Sequence, residues 1–97
     1  MSLHVVATIP IDPAQAAAAA PALAALAEGS RSEEGCLSYE VFSSQAVPGV
    51  FVTIEEWRSQ EDLDAHMATP HVASALEIAG PLLAGDIVIH PLAPVGG

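Results

Sequence analysis

The stretch CLSYEVFSSQAVPGVFVTIEEW runs from Cys36 to Trp57. Its two ends alternate and are rich in β-branched and aromatic residues. The segment between them, Gln45 to Gly49 (QAVPG), is turn-forming. That pattern predicts strands over Cys36–Ser43 and Val50–Trp57, joined as a hairpin. Alternation sets Leu37, Tyr39 and Val41 on one face of the first strand, with Cys36, Ser38, Glu40 and Phe42 on the other. On the second strand Phe51, Thr53, Glu55 and Trp57 share a face, opposite Val50, Val52, Ile54 and Glu56. Large apolar residues on both faces indicate a sheet covered on both sides.

Working outward, Leu3 to Ile9 (LHVVATI) reads as a strand ended by Pro10. Asp12 is placed to cap a helix, with Pro13 at its first position and Gln15 completing a capping box. The alanine-rich helix is expected to run to about Ala27 or Glu28 and to stop at Gly29. Pro21 within it removes a backbone hydrogen bond, at about 3 kcal/mol, and predicts a kink or division. Downstream, Ser59 and Asp62 form a second capping box, and Leu63, His66 and Met67 lie at helical spacing on one side. Thr69 caps a further helix with Pro70 in first position, carrying Val72, Leu76 and Ala79 up to Gly80-Pro81. Asp86 to Pro91 (DIVIHP) reads as the last strand.

Strand, helix, strand, strand, helix, strand is the order of an α+β, ferredoxin-like βαββαβ sandwich. Residues 1–97 are read as one domain, with an ordered core over about residues 3–92 and a short tail, 93–97. Helices cover only one face of a four-stranded sheet. The apolar residues of the other face therefore call for a second sheet, and a homodimer packed sheet on sheet supplies it.

Composition narrows the partners. The chain of 97 residues is 52% hydrophobic, and its thin core gains from a partner subunit. Its formal net charge is −10, with Arg31 and Arg58 as the only Lys or Arg residues. A field of that sign repels phosphate backbones and anionic lipid, so neither nucleic acid nor a membrane surface is expected as a partner. The apolar run Ala14–Ala27 is shorter than the ~18–20 residues of a span, lacks a basic lead and contains Pro21, so it reads as neither anchor nor signal peptide. A single cysteine, Cys36, cannot form an intrachain disulfide, which makes a reducing, cytoplasmic setting the expectation.

The residues with chemical potential cluster between Glu55 and His71. His66 shares a helix side with Leu63 and Met67, so it is expected to point inward, either as a hydrogen-bonded core residue or as a general base. His71 lies near a helix N-terminus. On one continuous helix the two imidazoles would stand about 140° apart, and the sequence indicates no third ligand, so no metal site is expected. Glu55 and Trp57 share an inward face, where a carboxylate needs a partner and the indole either anchors the core or stacks on a flat ligand. Tyr39 stands across the hairpin from this pair. His4 and His90 are assigned no chemistry, and Cys36 reads as a small buried hydrophobe. The glycines are isolated, so no phosphate-binding loop is present.

EEGCLSYEVF and FVTIEEWRSQEDLDAHMATPHV, framed by LHVVATI and DIVIHPL, resemble the antibiotic biosynthesis monooxygenase family, including its small quinol-monooxygenase-like members. The resemblance spans essentially the whole chain. It implies a dimeric α+β barrel with a pocket between helices and sheet and a last strand that helps tie the dimer. It also implies a cofactor-independent monooxygenase that oxidises a phenolic or quinol-like small aromatic substrate with O2. On that pattern His66 or His71 is the base, Trp57, Tyr39 and Met67 shape an apolar slot, and Glu55 orients a histidine. Some relatives, haem-degrading ones among them, use an asparagine with the tryptophan. This chain has no asparagine, which argues against those mechanisms. The alternatives are a non-oxidative isomerase or binding protein for a small carbonyl metabolite, and a haem-binding protein with His66 or His71 as axial ligand.

Overall fold

The computed structural model describes residues 2–96. The elements are strand β1 (Leu3–Pro10), a 3-10 turn (Pro13–Gln15), helix α1 (Ala16–Arg31), strands β2 (Cys36–Ser43) and β3 (Val50–Trp57), helices α2 (Gln60–Met67) and α3 (Pro70–Ala79), a second 3-10 turn (Gly80–Leu82) and strand β4 (Val88–Leu92). The four strands form one antiparallel sheet in the order β2-β3-β1-β4. This is the expected α+β, ferredoxin-like architecture, with the hairpin at the predicted boundaries. Gly49 closes that hairpin at φ 87°, where a Cβ would strike the carbonyl oxygen of Ile11.

Helix starts follow the predicted chemistry. Ser59 accepts a hydrogen bond from the Asp62 amide and Thr69 from the Val72 amide, each with extended backbone at the cap. The first helix departs from expectation twice. Asp12 caps a 3-10 turn rather than the α-helix itself, accepting from the Ala14 amide. Helix α1 then runs unbroken through Pro21 and past Gly29 to Arg31. Pro21 is exposed, so its ring meets solvent rather than the core.

The core lies between the helices and one sheet face. Val5, Ile9, Phe51, Tyr39 and Trp57 from the sheet meet Leu23, Leu26, Leu63 and Val72 from the helices. A register shift between Cys36 and Ser38 corrects the predicted faces of two residues, Cys36 and Leu37. It pairs Cys36 with Trp57, on the inner side with Tyr39, and throws Leu37 outward, 55% exposed. Cys36 is thereby half-buried rather than buried. On the outer face Phe42, Ile54, Val88 and Leu92 remain exposed.

Candidate active site

A cavity of about 80 Å³ opens between the inner sheet face and the helices. Its walls come from Ala7, Ile9, Tyr39, Thr53 and Glu55 on the sheet and from residues of all three helices, His66 among them, with Ile87 and Ile89 closing one side. Met67 and Leu76, each 45% exposed, stand at the rim. The polar lining reduces to four side chains: Tyr39, Thr53, Glu55 and His66.

Glu55 is 5% exposed and fully used. The Trp57 indole N–H donates to Oε1 at 2.8 Å, and the Thr53 hydroxyl donates to Oε2 at 2.5 Å. Thr53 in turn accepts from the Ala7 amide at 3.2 Å. Strand alternation makes this ladder possible, since residues 53, 55 and 57 fall on one face. Glu55 therefore braces Trp57 and Thr53 and has no hydrogen bond to a histidine, unlike the expected arrangement.

The histidine partner is Glu33, in the turn between α1 and β2. His66 is 3% exposed, and its Nδ1 lies 2.6 Å from Glu33 Oε2. His71 Nε2 lies 2.7 Å from the same oxygen. The Thr69-Pro70 helix break, with Thr69 as the cap of α3, turns the two imidazoles toward each other, with ring centroids 6.0 Å apart. An unbroken helix would have held them apart.

His66 is also gripped by aromatic rings, with its centroid 4.5 Å from Trp57 and 5.6 Å from Tyr39. With Nδ1 committed to Glu33, Nε2 is the unbonded nitrogen. No buried side-chain nitrogen or oxygen among the described residues lacks a partner. Nε2 is therefore open, and His66 is part of the cavity wall.

Of the residues expected at the site, His66, Tyr39, Glu55 and Met67 line the cavity. Trp57 does not. It is wholly buried behind His66, edge-on to Tyr39, and acts by packing. His71 lies on the far side of Glu33 and lines a separate outer groove between α1 and α3. Sequence reading missed Glu33, because SRSEEG looks like a solvated acidic loop. No local signal sets it apart from Glu34, because its two partners lie 33 and 38 residues away.

Glu33, His66 and His71 offer three ligand atoms within 4.8 Å of one another. Two imidazoles and a carboxylate form a donor set suited to a divalent transition ion, so the expectation that no third ligand exists is corrected. Burial, followed by the charges of Glu55, Cys36 and Glu33, pushes the Tyr39 phenol well above its usual range. Tyr39 is therefore a neutral donor at physiological pH. Burial and then Glu33 and Glu55 likewise raise the Cys36 thiol, which disfavours the reactive thiolate.

A family model described as antibiotic biosynthesis monooxygenase matches residues 2–77. Rv0793 of Mycobacterium tuberculosis is 36% identical over 75% of this chain and 71% of its own length. Its solved structure superposes with a TM-score of 0.88 at 30% identity, covering 100% of this chain and 98% of that one. A crystal structure described as an antibiotic biosynthesis monooxygenase is similar at a TM-score of 0.90 and 33% identity, over 96% of this chain and 98% of that one. The uncharacterised protein sll1783 of Synechocystis is 37% identical over 68% of this chain, a match that spans about half of that relative, 46%.

Proposed function

The chain belongs to the antibiotic biosynthesis monooxygenase family, and from that premise we propose that it oxidises a small phenolic or quinol-like substrate with O2, using His66 as the base and no organic cofactor or metal. The observation that carries the reading is His66 itself. It is a buried imidazole with one nitrogen anchored to a carboxylate and the other open in an apolar cavity.

The chemistry follows from that geometry. His66 Nε2 takes the phenolic proton, and Glu33 stabilises the imidazolium through Nδ1–H. The phenolate, dry and electron-rich, is the reductant for O2. For a phenol with a ring C–H in the para position, one oxygen atom enters the ring as a carbonyl and the other leaves as water. That water carries the ring hydrogen and the proton that His66 returns. A quinol instead yields the quinone and hydrogen peroxide. Tyr39, held neutral, can donate a hydrogen bond to an oxygen species near the ring.

The reading includes a homodimer packed through the outer sheet face, supported by the exposed row of Phe42, Ile54, Val88 and Leu92. No helix among the described residues is long and apolar enough to cross a membrane, and the lone Cys36 fits a reducing cytoplasm. A haem protein is disfavoured by size, since a porphyrin does not fit a cavity of about 80 Å³. The isomerase or binding alternative uses the same base and is separated by oxidation alone. Purified protein given a panel of phenols and hydroquinones is expected to form quinone, with the rate falling by roughly 10²–10⁴ in His66→Ala. Absence of protein-dependent quinone across the panel would refute the oxygenase and favour the non-oxidative alternative.

A further inference from the structure

From the charge pattern and size of the cavity we infer that the site takes an uncharged, single-ring phenol or quinol and rejects ligands bearing a carboxylate, sulfonate or phosphate. This rests on the oxygenase reading and specifies its substrate.

Cations are scarce in this chain. Arg31 and Arg58 are the only Lys or Arg residues in the chain, and neither lines the cavity. Arg58 is clamped outside by Asp62, through Nε at 2.8 Å and Nη2 at 3.0 Å. Arg31 donates from Nε to the Tyr39 carbonyl at 2.9 Å and pairs with Glu40 at 3.4 Å. The cavity instead presents Glu55, with Glu33 directly behind His66. An anion entering there would shed its water with no counter-charge and beside a carboxylate, which is costly in a low-dielectric space. A neutral phenol avoids that cost. Its negative charge appears only as His66 becomes positive, so the ion pair is created in place.

Size sets the second limit. About 80 Å³ is far below the ~300–1,000 Å³ of sites for drug-sized ligands. It is about half of the ~150 Å³ cavity that takes one benzene, so it admits a single ring only with that ring's substituted edge projecting through the rim. The rim at Met67 and Leu76 gives a ring substituent a way out, but a fused polycycle has no room.

Trp57 provides the readout. It is the only tryptophan, and its indole N–H touches Glu55 on the cavity wall, so it gives one side-chain resonance in an ¹⁵N-labelled sample. The protein would be titrated without oxygen at pH 8 with methylhydroquinone, with 2,5-dihydroxybenzoate and with a tricyclic dihydroxyanthracene. Saturable shifts are expected with methylhydroquinone, and at least tenfold weaker binding with the other two. Leu76→Lys, which sets an ammonium group at the rim, is expected to strengthen benzoate binding tenfold or more. Benzoate or tricycle binding as tightly as methylhydroquinone, or no binding by any of the three, would overturn the inference. Binding is read apart from turnover. Selective binding without oxidation would overturn the oxygenase reading alone, and oxidation of carboxylated quinols would overturn the selectivity alone.

Discussion

Glu33 Oε2 is a single atom contacted by two imidazoles, 2.6 Å from His66 and 2.7 Å from His71, and that sharing sets the behaviour of the site. An imidazole with a fixed Nδ1–H presents Nε2 as the acceptor, so the carboxylate decides which tautomer faces the cavity. Glu33→Gln keeps the shape but removes the charge that stabilises the imidazolium. Quinone formation is expected to fall well below wild type while the thermal midpoint moves little, and an unchanged rate would remove Glu33 from the mechanism. Tyr39 gives a second test at this scale. Its phenol is raised by burial above its ordinary 10.0, so the folded state favours the protonated form. The resulting stabilisation is complete below pH 10 and is lost as pH rises through the higher folded value. As the only tyrosine, it gives a clean absorbance titration at 295 nm. Tyrosinate should appear well above pH 10, together with loss of structure; ionisation near 10 in intact protein would contradict its burial.

At the scale of elements, the caps and the hairpin were legible because each is local chemistry. Ser59 and Thr69 serve a neighbouring amide, and alternation places Glu55 beside Trp57 without reference to the rest of the chain. What was not legible is what only packing decides. Gly29 reads as a helix terminator, yet α1 continues past it. Its missing side chain matters because a Cβ there would lie 2.9 Å from His71 Cγ. Gly29→Ala should thus fail to give the ~1 kcal/mol usually gained inside a helix, since His71 must retreat and loosen its bond to Glu33. Urea denaturation reads this directly, and a full gain would show that the contact is soft. Glu33 was illegible for the same reason. Nothing local distinguishes it from Glu34, and only the fold carries His66 and His71 to it across 33 and 38 residues. The extra residue between Cys36 and Ser38 was also invisible, because alternation in a sequence does not announce a bulge.

At the scale of the molecule, the two sheet faces have opposite fates. The inner face holds the core and the cavity, while the outer face leaves Phe42, Ile54, Val88 and Leu92 in contact with solvent in a single chain. The apolar excess seen in the sequence is located there, which is why the dimer expectation could be formed from pattern alone. Light scattering at micromolar concentration is expected to give twice the 9.9 kDa chain mass. Ile54→Lys, at the centre of that face, should shift the species toward monomer, and a wild-type monomer would reject the sheet-on-sheet arrangement. Oxygen uptake by chelator-treated protein with methylhydroquinone as substrate tests the metal-free oxidation most directly. Uptake is expected to match quinone mole for mole, to persist after metal removal and to be lost in a folded His66→Ala variant. Uptake abolished by the chelator and restored by a divalent metal, or no protein-dependent uptake at all, would contradict metal-free oxidation.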